Sequence, residues 1–327
     1  MQGALVADEP RLDPQARALI ERFAAAGAPP LYTLTAPEAR RAYRESRAAL
    51  AAAPVHVDEI RELSVPGPAA ALRGRLYRPR AAENALPGMV YFHGGGFIYG
   101  DIDTHDVVCR GIAQCAHCAV VSVDYRLAPE HRFPAAVEDA FAATAWVAAN
   151  AAALGIDPAR LVVAGDSAGG NLAAVVAITA RERSAPALAM QVLVYPTTDF
   201  AAETDSISRF AAGYLLTRES IRWVKRTYLR DEHDALDWRA SPFRADDFSR
   251  LPAAYIITAG FDPLRDEGRA YAERLAQAGV AVTHECFEGQ VHGFLVMGGA
   301  IAAAGHAIQR IGQTLRMQFG TTPRLRP

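Results

Sequence analysis

Leu161-Val162-Val163-Ala164-Gly165-Asp166-Ser167-Ala168-Gly169-Gly170-Asn171 is the stretch that decides the fold. Its first four residues are a continuous apolar run, as suits a strand buried on both faces. Residues 168–183 then read as a helix. Gly-x-Ser-x-Gly between a strand and a helix predicts a nucleophile elbow, in which the glycines permit a tight turn that pushes the serine hydroxyl into the open. The helix N-terminus adds positive partial charge where an oxyanion would form. The same pentapeptide can be a plain turn; the strand before it and the helix after it favour the elbow.

The pattern continues outward from this point. Further strands are predicted at residues 89–92, 119–123, 191–195, 254–258 and 280–287, most of them continuous apolar runs. Helical stretches at 104–118, 135–153, 264–278 and 299–317 alternate with them. This alternation predicts an α/β fold with a parallel sheet covered on both sides. Residues 11–53 also read as helical, with Arg40, Arg41, Arg44 and Arg47 marking a solvated face or, alternatively, an anion-binding one. Almost sixty residues separate the strand ending at Tyr195 from the next, a length typical of a lid or binding element.

A second glycine cluster, His93-Gly94-Gly95-Gly96-Phe97, also ends a strand. Three glycines leave backbone N–H groups free to converge on one oxygen. A dinucleotide-binding loop would need a further glycine where Tyr99 stands. His93 is read as holding this loop by hydrogen bonds. A serine nucleophile needs a base, and the base an orienting acid. Of nine histidines, His292 lies in a glycine-flanked loop just after the last strand, whereas His284 lies within a strand and His56 and His233 follow no core strand. Asp262 follows the 254–258 strand and completes the order Ser, Asp, His. It could equally cap a helix beginning at Pro263. Asp199 is the reserve acid and Asp266 a weaker one.

Composition removes the rivals. The 327 residues carry 34 basic and 36 acidic side chains, a net charge of −2, so no basic excess points to nucleic acid or an anionic membrane. Lysine occurs once, as Lys225, outside any Gly-Lys-Ser/Thr loop and without a serine three residues before it. Phosphate-loop and Ser-x-x-Lys chemistry are therefore excluded, and a lysine Schiff base nearly so. Cys109, Cys115 and Cys118 cluster but lack a second pair to complete a metal site; with Cys286 they read as reduced thiols. The segment Met1 to Pro14 is acidic rather than apolar, and no stretch resembles a membrane helix, so a cytoplasmic protein without stable membrane association is expected.

Together these motifs resemble the hormone-sensitive-lipase family of α/β-hydrolases, the bacterial esterases with an HGGG loop. The residues that carry the resemblance are His93 to Phe97, Thr104-His105-Asp106, Asp124 to Glu130, Gly165 to Asn171, Tyr195-Pro196, Asp262 to Glu267 and His292-Gly293-Phe294. The resemblance implies an eight-stranded, mostly parallel sheet forming a core over residues 55–315. It also implies a helical cap from about 1–50 and 200–240. Ser167 would be the nucleophile, His292 the base and Asp262 its orienter. The amides of Gly95, Gly96 and Ala168 would form the oxyanion hole, with His93, Gly94 and Asp166 in support. The implied activity is hydrolysis of short- to medium-chain acyl esters, with a small-molecule ester as substrate, no cofactor and no metal. A homodimer is expected on the same ground. Amide or formamide hydrolysis, acyl transfer, and ligand binding without turnover are the alternatives on this scaffold.

Overall fold

The structure, a computed structural model, describes residues 11–79 and 85–320. The first ten residues, part of the expected cap and of the Met1 to Pro14 segment, lie outside the described residues. The strands are β1 (Glu59–Pro66), β2 (Ala71–Arg78), β3 (Leu86–Phe92), β4 (Ala119–Val123), β5 (Ile156–Asp166), β6 (Met190–Val194), β7 (Ala253–Phe261) and β8 (Val282–Val291). They form one sheet in the order β1-β2-β4-β3-β5-β6-β7-β8. From β4 to β8 every pairing is parallel; β2 runs antiparallel to both of its neighbours.

Alternation along the central strands divides the core into two layers. Val90 and Phe92 of β3, Val121 of β4 and Val163 of β5 face helices α4 (Ala135–Ala149), α6 (Ala168–Arg183) and α9 (Arg265–Gln277). Met89, Tyr91, Val120 and Val162 face the opposite layer, where α3 (Asp106–Ala116) and α10 (Ala303–Phe319) pack. These strand residues are almost completely buried. Each such side chain contributes about 1.5–3 kcal/mol of transfer free energy.

Two strands were not expected. In β1 and β2 the apolar positions alternate with Glu59, Arg61, Glu62, Arg73 and Arg75, because one face is solvated at the edge of the sheet. Cross-strand charges join them, with Arg73 Nε donating to Glu62 Oε2 at 3.0 Å. The expected helical region 11–53 is two helices, α1 (Pro14–Ala26) and α2 (Ala36–Leu50). Gly27 ends α1 in the left-handed conformation, φ 61°, and Pro29 and Pro30 follow before α2 begins. The 135–153 stretch divides similarly into α4 and α5 (Ala151–Leu154). The long insertion contains α7 (Asp205–Arg209) and α8 (Arg218–Tyr228).

The arginine stripe of α2 is not simply solvated. Arg40 donates to the carbonyls of Ile98 (2.8 Å) and Ala128 (2.9 Å) and to both Glu130 oxygens, and Arg44 pairs with Asp101 at 2.5 Å. These contacts tie α2 to the segments after β3 and β4. Lys225, on α8, pairs with Glu232 at 2.9 Å.

Candidate active site

The chemistry-bearing loops all leave the carboxyl ends of parallel strands, where open α/β sheets place ligands. The His93 loop follows β3, Ser167 follows β5, Asp262 follows β7 and His292 follows β8. Ser167 has φ 56° and ψ −116°, a strained conformation for a residue with a side chain. The elbow is held by Ser167 N–H donating to Val194 O at 2.8 Å and by Asn171 N–H donating to Ser167 O at 3.0 Å. Glycine is required at 169, because a Cβ there would collide with the Phe92 carbonyl at the end of β3. That close approach seats the elbow against the His93 loop.

Ser167 Oγ lies 2.9 Å from His292 Nε2, and His292 Nδ1 lies 2.8 Å from Asp262 Oδ2. Asp262 is fully buried, and its other oxygen accepts from Leu264 N–H at 2.8 Å. It is therefore both the partner of His292 and the cap of the turn into α9. Asp199 is held by Arg244 at 2.8 and 3.0 Å, and Asp266 accepts from Ser206 N–H and Arg265. The structure brings Asp262, and neither alternative, to the histidine.

The glycine loop closes through Ile98 and Tyr99 N–H groups, each donating to Gly95 O at 3.1 Å. Gly95 takes φ 123°, and a Cβ there would strike the Tyr99 backbone. Among the described residues no backbone carbonyl accepts from the N–H groups of Gly95, Gly96 or Ala168. His93 is buried, and burial pushes its imidazole down to about 4. It is thus neutral near pH 7; its Nδ1–H donates to Gly94 O at 2.8 Å and its ring stacks on Tyr125 at 4.3 Å. Tyr125 hydroxyl donates to His93 O at 2.7 Å, and Ala128 N–H donates to Phe97 O at 2.8 Å. The Tyr125–Ala128 segment therefore props the loop.

Sequence reasoning missed what surrounds Asp166. Its carboxylate accepts from Tyr91 hydroxyl (2.8 Å) and Gly94 N–H (3.0 Å) and lies 3.2 Å from His105 Nε2. Burial opposes its charge, but the His105 imidazole and the Tyr91 hydrogen bond outweigh it and hold the carboxyl below its usual range. One buried anion thus links the elbow to the glycine loop. The motif Thr104-His105-Asp106 was the signal present in the sequence. Glu267 was missed as well: it is buried, accepts from Thr198 N–H at 2.6 Å, and burial pushes its carboxyl up to about 8.

Ser167, His292, Gly95 and Gly96 open into a cavity of about 540 Å³. Its walls come from the sheet edge, from α1 and α2, and from the stretch leading into α8, including Phe23, Leu31, Leu216 and Val224. Among the described residues no group of three or more His, Cys, Asp or Glu side chains could hold a metal ion. The described cysteines are free, and burial pushes the Cys118 thiol up to about 12. No helix among the described residues is long and apolar enough to cross a membrane.

A serine–histidine–carboxylate relay at the carboxyl edge of this sheet defines an α/β-hydrolase. Residues 89–296 match the family described as alpha/beta hydrolase fold. The chain is 48% identical over 258 residues to the carboxylic ester hydrolase LipN of Mycobacterium tuberculosis, covering 76% of this chain and 68% of that one. It is 41% identical over 296 residues to the ethyl acetate hydrolase of Pseudomonas putida, covering 89% and 92%. An ester hydrolase from the metagenome of Lake Arreo superposes with a TM-score of 0.92 at 42% identity, over 95% of this chain and all of that one. The chain belongs to the hormone-sensitive-lipase family of α/β-hydrolases, and it is a carboxylic ester hydrolase.

Proposed function

We propose that Ser167 is the nucleophile, His292 the general base and Asp262 its orienting carboxylate in hydrolysis of short- to medium-chain acyl esters. The observation that carries this is the unbroken relay from Asp262 through His292 to Ser167, open to an apolar cavity. Ser167 Oγ attacks the ester carbonyl carbon as its proton passes to His292 Nε2. Asp262 accepts from Nδ1–H throughout, which fixes the tautomer and stabilises the imidazolium. The carbonyl oxygen becomes an oxyanion that receives the N–H groups of Gly95, Gly96 and Ala168. Collapse expels the alcohol with the proton from His292 and leaves the acyl group on Ser167. Water then gives a proton to His292 as it attacks the acyl carbon, and collapse releases the acid as His292 returns that proton to Ser167 Oγ. These residues handle every proton and electron pair, so the reaction as written needs no cofactor.

The same reading divides the chain into a catalytic core over residues 55–315 and a cap from about 1–50 and 200–240. The apolar side chains that α1, α2 and the 200–240 segment contribute to the cavity support it. A cytoplasmic location rests on the cysteine usage, and a homodimer on the family resemblance alone. The test is Ser167→Ala assayed with p-nitrophenyl butyrate. Hydrolysis should fall by many powers of ten, on the order of 10⁶, and His292→Ala should behave likewise. Near-normal rates in either variant would remove the assignment.

A further inference from the structure

The charged side chains lining the cavity are unevenly matched. Asp166 is satisfied by Tyr91, Gly94 and His105, and Asp199 by Arg244. Glu267 accepts from Thr198 N–H, and burial favours its protonated form near neutral pH. Arg47 is the exception. It lines the same cavity as Ser167 and His292, and among the described residues no carboxylate lies within ion-pair distance of it. Its Nε is buried with no acceptor, and among the described residues the guanidinium's one hydrogen bond is a long contact from Nη2 to Ser46 Oγ at 3.4 Å.

The guanidinium is nonetheless held in place. It lies over the Tyr43 ring at 4.9 Å, and Tyr43 in turn packs on Tyr99 at 4.6 Å. The Tyr99 N–H donates to Gly95 O, so a short chain of contacts runs from the glycine loop to Arg47. An unsatisfied cationic N–H beside apolar walls is costly, and a planar guanidinium matches a carboxylate in two parallel hydrogen bonds. The same cavity is walled by Phe23, Leu31, Leu216, Ile221 and Val224, which suit a hydrocarbon spacer but not a second charge.

We propose that Arg47 recognises a carboxylate on the substrate, so that this site serves half-esters of dicarboxylic acids, with an apolar spacer between the free carboxylate and the scissile ester. This rests on the reading of Ser167 and His292 given above. The carboxylate takes no part in bond making. It docks on the side of the cavity beyond Tyr99, and the ester carbonyl reaches Ser167 while its oxygen faces the glycine loop.

The experiment compares two p-nitrophenyl esters of the same shape: the mono-ester of adipic acid, and the 6-methylheptanoate, in which an isopropyl group replaces the carboxylate. The quantity read is the ratio of kcat/KM for the anionic ester to that for the neutral one, in wild type, Arg47→Gln and Arg47→Lys. In Arg47→Gln the ratio should fall roughly tenfold to a hundredfold, the ordinary contribution of a charge-assisted hydrogen bond. Arg47→Lys should retain part of it, and raised salt should lower the wild-type ratio toward that of Arg47→Gln. An unchanged ratio in Arg47→Gln would overturn the proposal, and so would equal losses on both esters, which would mark a purely structural arginine. Wild type that cleaves the neutral ester but not the half-ester would overturn it too. If wild type cleaves neither, it is the esterase reading of the site that fails.

Discussion

The floor and the roof of the cavity are built on opposite rules. On the floor, Ser167, His292, Asp262 and Asp166 are each fixed by hydrogen bonds at 2.8–3.0 Å from elements that end on the same sheet edge. On the roof, α1, α2 and α8 offer mostly apolar side chains, and Arg47 is left with an unused donor. Over-determination suits chemistry, where a small displacement of a reacting group costs rate. Unused bonding capacity suits recognition, because the ligand supplies the missing partner. The floor should therefore fail steeply when altered, and the roof should change which ester is preferred.

The steepest expected failure beyond the serine and histidine is Asp262→Asn. An amide there favours the wrong imidazole tautomer, so kcat should drop on the order of 10⁴ while the fold persists. Asp199→Asn in the same assay should cost far less, because Asp199 serves Arg244 rather than His292. Equal losses in the two variants would erase the distinction drawn between these acids.

A change in the cavity wall beside His292 comes next. Val296 lines both the main cavity and a second one of about 120 Å³ bounded by Val107, Val108 and Ile308. Val296→Ala should open one into the other and raise kcat/KM for the p-nitrophenyl decanoate relative to the butyrate by roughly tenfold, the value of one or two accommodated methylenes. An unchanged chain-length profile would show that the two spaces stay separate.

The smallest effect concerns stability. Burial raises Glu267 from 4.5 to about 8, so between those values the folded chain keeps a proton that the unfolded chain has released. Stability falls as pH rises through that window, by at most about 1.4 kcal/mol per pH unit. Glu267→Gln has no proton to lose, so urea midpoints at pH 5 and pH 8 should differ less in the variant than in wild type. Parallel pH dependence would place the cause elsewhere.

How much of this was legible in the sequence follows from how local each feature is. The elbow, the glycine loop and the placing of His292 and Asp262 after strands are short contiguous patterns, and each stands where the pattern put it. The strands β1 and β2, the last two at one end of the sheet, were obscured because their solvent face carries arginine and glutamate, which read as loop when no partner strand is in view. The Asp166 cluster joins Tyr91, Gly94 and His105 across 61 to 75 residues of chain, and Arg40 reaches Glu130 across 90. Only the folded sheet brings those groups together. The arginine stripe of α2 shows the limit well: one helical face holds two clamps, Arg40 and Arg44, and the unpaired Arg47, and spacing alone cannot distinguish them.

The claim that Ser167 is activated by His292 on Asp262 can be tested at the atom that reacts. Wild type, His292→Ala and Asp262→Asn are incubated with a fluorophosphonate ester, and peptide mass spectrometry locates the adduct. One equivalent on Ser167 in wild type, with labelling slowed by orders of magnitude in both variants, is the expected result. Labelling at another residue, or active wild type that takes no label, would contradict it.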